Sequence, residues 1–175
     1  DLDAFYLMQT AVIEGPGLVD ALARARDAGA AAGAGATAAA ALRTLAEAAS
    51  VARVGADRQR TGLARASASN AALESPLGAA SKLARIAAAL DDAGRLLTPG
   101  GDRPADWWAS ATAGLEASYA LNAASMKLLD GLLVARIDRL QGDRLAKLGF
   151  AAACVALAFY MLVATHAAAK PSFAS

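Results

Sequence analysis

The side chains able to make or break a covalent bond are scarce in this sequence, and their spacing keeps them apart. His166 is the single histidine and Cys154 the single cysteine. Both fall in the most apolar stretch, so no intrachain disulfide is possible and no serine has an imidazole to act as its general base. His166 has no second metal ligand near it, and a structural or interfacial role is expected for it. Glu116 and Asp130 are too far apart on one helix to work as an acid–base pair, and Asp91-Asp92 reads as a solvated helix end. The glycines from Gly29 to Gly35 match no phosphate-cradling loop. These residues are therefore expected to form no enzyme, to bind no metal and to need no cofactor. What remains is a run of polar residues interleaved with an apolar helix face: Ser118, Tyr119, Asn122 and Ser125. They are the candidate ligand-binding residues. The plainer account is that alanine-rich helices pack closely and such small polar groups bond to backbone carbonyls. Trp107 and Trp108, just after a turn, either line an apolar site or clamp the end of a helical array.

The elements that must position these residues are helices. Hydrophobic residues make up 57% of the 175, but aromatics only 5%, and alanine alone supplies roughly three residues in ten. Alanine is the best intrinsic helix former, with leucine and arginine close behind. Valine, isoleucine and threonine, which pack well on a pleated surface, are too sparse for a sheet. The formal charge of +1, from 17 basic and 16 acidic residues, is interspersed and forms no stripe that would track phosphates. No nucleic-acid partner is expected. The densest basic stretch, Arg53, Arg58, Arg60 and Arg65, reads as a polar helix face.

Breakers divide the chain. A first helix is expected from about Asp3 to Ala28, with Pro16 kinking it or opening its second half. Gly29 to Gly35 is the expected first loop. A second helix runs from Thr37, a suitable N-cap, to about Ser69, and a third from Ser75-Pro76 to about Leu97. Thr98 to Pro104 carries the strongest turn signal, and Asp102 or Asp106 is positioned to cap a fourth helix. From Ala105 onward there is no proline for more than sixty residues. Met126, Leu129, Leu133, Ile137 and Leu140 recur at steps of three and four, which places them on one face. Residues 148–169 then carry no formal charge with His166 neutral. At ~1.5 Å per residue they span ~33 Å, against a hydrocarbon core of ~30 Å. One continuous helix from Ala105 to Ala168 is expected. The fold class is thus all-α: an antiparallel four-helix bundle whose last helix continues into a transmembrane helix. The expected domains are residues 1–146, the bundle; 147–169, the membrane helix; and 170–175, a short tail. The first residues, Asp1-Leu2-Asp3, include no initiator methionine and no signal peptide, so the chain is expected to be a fragment or a processed product.

Leu2-Asp3-Ala4-Phe5-Tyr6-Leu7-Met8, with Ala11-Val12-Ile13 and Pro16-Gly17-Leu18 after it, is similar to a stretch in helical periplasmic sensor regions of bacterial receptors. Those receptors are methyl-accepting chemotaxis proteins and related transmembrane histidine kinases and diguanylate cyclases. Trp107-Trp108-Ala109 through Ala124, then Leu128-Leu129-Asp130 and Leu132-Leu133-Ala135-Arg136-Ile137, resembles the last outer helix of that group. The resemblance implies an upstream membrane helix, a downstream output domain and a periplasmic bundle on the inner membrane. In a signal-input module of this kind the continuous last helix carries the signal past Leu133, Ile137 and Leu140, and Gly142 is either a hinge in that path or a tolerated surface residue. The implied partners are the lipid bilayer, a second copy in a homodimer, and an unidentified small-molecule or protein ligand. Lys170 to Ser175 shows no recognisable start of a HAMP linker. Arg136, Arg139, Arg144 and Lys147 precede the span and only Lys170 follows it. Read literally, the positive-inside tendency puts the bundle in the cytoplasm. The alternative is accordingly a tail-anchored structural or interaction protein with a cytoplasmic bundle.

Overall fold

The computed structural model describes residues 2–32, 38–99 and 106–169, and no strand occurs among them. The chain opens with α1 (Leu2–Met8), widens into a π-helical segment (Gln9–Glu14), and continues as α2 (Gly15–Ala31). Next come α3 (Ala38–Ser69), a 3-10 turn (Ala71–Leu73), the short α4 (Glu74–Leu77) and α5 (Ala79–Leu97). The last element, α6, runs unbroken from Trp107 to Ala169 over 63 residues.

Pro16 explains the π segment. Proline has no N–H to offer the carbonyl one turn back, and its ring crowds that carbonyl. The backbone before it widens instead, and the Gly15 N–H bonds to the Thr10 carbonyl five residues back. The glycines that follow do not end α2 at Gly29 as the sequence suggests. Helix persists to Ala31 because the indole of Trp107 lies where a Gly29 side chain would be. Packing against that ring outweighs the ~1 kcal/mol by which glycine disfavours a helix. The expected caps Thr37 and Asp102 lie outside the described residues. Asp106 meets α6 through its backbone, its carbonyl accepting from the Ser110 N–H at 2.9 Å.

The third helix also departs from expectation. Pro76 does not open it; it lies within α4, and Gly78, at φ 51° and ψ 37°, separates α4 from α5. That left-handed conformation is open to glycine at no steric cost. Upstream, the Asn70 side chain accepts from the Ala72 N–H and donates to Asp3 Oδ2 at 2.9 Å, tying the 3-10 turn to α1. At the far end Thr98 is extended, as a residue before proline prefers.

Residues up to Leu132 form one compact unit and those from Leu133 a second, whereas hydropathy puts a boundary at 146/147. Three apolar clusters make the core of the first unit. One gathers Ala25, Ala28, Leu45, Ala49, Ala93 and Trp107. The next gathers Leu18, Leu22, Ala52, Ala56, Ile86 and Leu115. The last gathers Leu7, Leu63, Leu73, Leu77, Leu121 and Leu129. The arginines of the basic stretch are absorbed locally. Arg53 donates to the Leu90 carbonyl at 3.0 Å, Arg58 pairs with Glu14 at 3.6 Å, and Arg65 lies 5.8 Å from the Tyr6 ring centre.

Two stability tests follow from this packing. Gly29→Ala is expected to cost ~1–3 kcal/mol by overpacking against Trp107. Gly17→Ala, with nothing within 4 Å of its position, is expected to add ~0.4–1 kcal/mol. Thermal melts of the full chain in detergent, followed by circular dichroism, compare the two. The second test uses pH. The Asn70 amide is the main cause that holds the Asp3 carboxyl below its usual 3.8; the Ala4 N–H assists and burial opposes. A depressed folded-state value means stability present above the unfolded value and lost as pH falls through the folded one. The advantage of the native chain over Asn70→Ala should therefore be constant near neutrality and shrink once the pH drops below about 4.

Candidate functional site

On α6 the buried residues Trp107, Ala111, Leu115, Ser118, Leu121, Ser125 and Leu129 recur at steps of three and four, so two serines occupy core positions. They are not equivalent. The Ser125 hydroxyl donates to the Leu121 carbonyl at 2.9 Å, the local back-bond expected of serine inside a helix. The Ser118 hydroxyl is fully buried and has no hydrogen-bond partner. Asn122, one turn further, is half-buried, and its Oδ1 is likewise buried and unpartnered. Tyr119 turns away from this face and is 57% exposed. Of the four sequence candidates, then, Ser118, Asn122 and Ser125 share the inner face and Tyr119 does not.

A fifth residue belongs with them and was not anticipated. On α3 the buried positions Leu45, Ala49, Ala52, Ala56, Gln59, Leu63 and Ala66 alternate steps of four and three. Gln59 is the polar member; it is fully buried, and neither its Oε1 nor its Nε2 has a partner. The signal was present in the sequence as a glutamine at an apolar position of a regular repeat.

Glycine contacts set the level at which these groups meet. Gly55 lies against Leu18 and Gly62 against the methyl of Thr10, so Gln59, midway between the glycines, stands level with Glu14 and Gly15. Gly15 in turn lies against the Asn122 carboxamide. Gln59, Gly15 and Asn122 therefore share one level of the core. On α3 that level falls between Ala56 of one apolar cluster and Leu63 of the next. On α6, Ser118 falls between Leu115 and Leu121 of the same two clusters. Thr10, also fully buried, is satisfied within its own helix, its hydroxyl donating to the Tyr6 and Leu7 carbonyls at 2.9 and 3.0 Å.

The layer carries no formal charge. Every fully buried polar group among the described residues is neutral, and Glu14 beside it is engaged by Arg58. An unpartnered buried donor or acceptor costs ~1–3 kcal/mol, so three residues in this condition at neighbouring levels are a concentrated cost. A surface groove of about 320 Å³ opens beside this level, past Glu14, Leu18, Gly55 and Arg58. Another, of about 630 Å³, is open and runs between α3 and the start of α5, past Arg60, Leu63, Ser67, Glu74, Ala79 and Leu83. No group of three or more His, Cys, Asp or Glu side chains that would hold a metal ion occurs among the described residues.

The tryptophans clamp rather than line a site. Trp107 is buried and its indole N–H donates to the Arg26 carbonyl at 3.1 Å, while the Arg26 guanidinium lies 4.5 Å from the Trp108 ring centre. The residues assigned to signal transmission belong to the second unit. Leu133, Ile137 and Leu140 are each about half exposed, and nothing lies within 4 Å of the Gly142 position. Further along, Phe150, Leu157 and Phe159 are exposed at 63–74%. Among the described residues α6 is the one helix long and apolar enough to cross a membrane, with a mean hydropathy of 1.5 in its apolar part.

Fold and site together define an all-helical protein with one candidate membrane-spanning helix. No family model, curated protein or solved structure matches the chain.

Proposed function

We propose that the chain is the extracytoplasmic signal-input module of a bacterial transmembrane receptor, of chemoreceptor or sensor-kinase type. In this reading residues 1–146 form an antiparallel four-helix bundle in the periplasm, residues 147–169 cross the inner membrane, and the receptor works as a homodimer. A small-molecule or protein ligand shifts the packing of the bundle, and α6 carries that shift inward past Leu133, Ile137, Leu140 and Gly142. The order in which the three apolar clusters are met supports the bundle. It runs from the Leu7 cluster to the Trp107 cluster along α1 and α2, and in the opposite order along α3.

One observation carries the reading: α6 continues without a break from the packed core into an exposed apolar segment. A rigid helix transmits displacement only if no loop absorbs it, and two packings of the core must differ in contact free energy for a ligand to choose between them. The competing reading, a tail-anchored interaction protein with a cytoplasmic bundle, is favoured by Arg136, Arg139, Arg144 and Lys147 ahead of the span.

Two experiments decide. The full chain is expected in the membrane fraction, resistant to carbonate, and Leu157→Arg is expected to cost ~2.5–3.5 kcal/mol of insertion. In a Cys154→Ser background, Ala68→Cys, which is exposed on α3, should react with an impermeant maleimide in intact cells. Labelling only after lysis hands the case to the tail-anchored alternative. The relay is tested in the complete receptor. Leu140→Pro, at ~3 kcal/mol or more, should leave ligand binding intact and abolish output. Normal signalling by that variant ends the continuous-helix mechanism.

A further inference from the structure

We propose that the polar layer around Gln59 is a buried binding site for a small uncharged molecule that both donates and accepts hydrogen bonds, the chemistry shared by water and by amide-sized solutes. This goes beyond the receptor reading and does not rest on it, because it concerns the first helical unit alone.

Two fully buried side chains define the site. Gln59 presents two N–H donors and a carbonyl acceptor, Ser118 presents a hydroxyl, and none of these groups has a partner in the protein. The Asn122 Oδ1, at the level of Gln59, adds an acceptor. Walls that offer both donors and acceptors are matched by a guest that offers both. Such buried groups in proteins are satisfied by side chains, by backbone or by ordered water making about three hydrogen bonds.

The electrostatics exclude a charged guest. An ion brought to this depth would have no counter-charge, since Arg58 and Glu14 are joined to each other at 3.6 Å and the layer itself is neutral. The flanks exclude a large apolar one. Leucines close the layer on both sides, Leu18 and Leu115 in one cluster and Leu7, Leu63 and Leu121 in the next. The π-helical segment passes alongside, ending at Glu14 beside this level. Segments of this kind interrupt the regular helical ladder and recur at functional sites. Here it is the backbone nearest the layer with the least regular bonding, and local opening there admits the guest.

The test uses the full chain purified in detergent micelles, with ¹⁵N-labelled glutamine. The side-chain amide of Gln59 is assigned by its loss in Gln59→Leu, or in Gln59→Met should the leucine variant fail to fold. Magnetisation transfer from water to that amide is expected if water is the resident. A saturable shift of the same resonance during titration with acetamide is expected if the site takes small solutes. Either signal supports the proposal, and Gln59→Leu is then expected to melt at the same temperature as the native chain or higher. Absence of both signals overturns it, whatever the melting temperatures. A fall in midpoint common to Gln59→Leu and Asn122→Leu would then identify a direct pair between those two amides.

Discussion

Close approach between helix backbones is the interaction on which the rest of this structure depends. Alanine supplies much of the buried surface at Ala21, Ala25, Ala49, Ala52, Ala56, Ala66, Ala89 and Ala93. A buried methyl contributes far less transfer free energy than a leucine side chain. The helices compensate by lying near one another, where dispersion contacts between backbone and side-chain atoms accumulate. The glycines mark where the approach is closest. A side chain at Gly114 would meet Ala89, one at Gly62 the methyl of Thr10, and one at Gly29 the Trp107 indole. A core packed in this way has little slack, so a change at one level is passed to its neighbours and not absorbed in place.

That economy makes the polar layer costly and therefore informative. In a leucine-rich core a stray serine can be buried beside larger neighbours and bonded to its own helix, as Ser125 is. Ser118 and Gln59 are not bonded in that way, and they stand between two apolar clusters that would close over them. Buried polar groups at core positions weaken a helical array but fix its register, because any slip exchanges them with apolar positions. The widened backbone ahead of Pro16 lies alongside the same level. A neutral polar layer beside an irregular backbone is where a second packing of the helices would cost least.

The exposed half of α6 follows a different rule. Its large apolar side chains from Leu145 to Tyr160 are mostly exposed, and the arrangement is stable where the surroundings are themselves apolar. Helical backbone suits such surroundings because every interior N–H and C=O is bonded within the segment. The proposed receptor role would join these two regimes in one element, with packing fixing the first part of α6 and a bilayer constraining the rest.

The helical character, the one candidate span and the continuity of α6 were legible in the sequence, because each is a local property. Alanine content sets the backbone preference, proline and glycine mark most breaks, and a charge-free stretch is read off directly. The tertiary structure decided what depends on neighbours remote in sequence. Gly29 stays helical only because Trp107 arrives from 78 residues away. Pro16 produces a π segment, and not a simple kink, where α1 and α3 must also pack. The candidate site shows the same division. The periodicity of α6 placed Ser118, Asn122 and Ser125 on one face, but it did not separate the satisfied Ser125 from the unpartnered Ser118. Nor did it join Gln59 to them from α3. Whether a buried hydroxyl or amide has a partner is settled by the atoms opposite it, and those come from another helix.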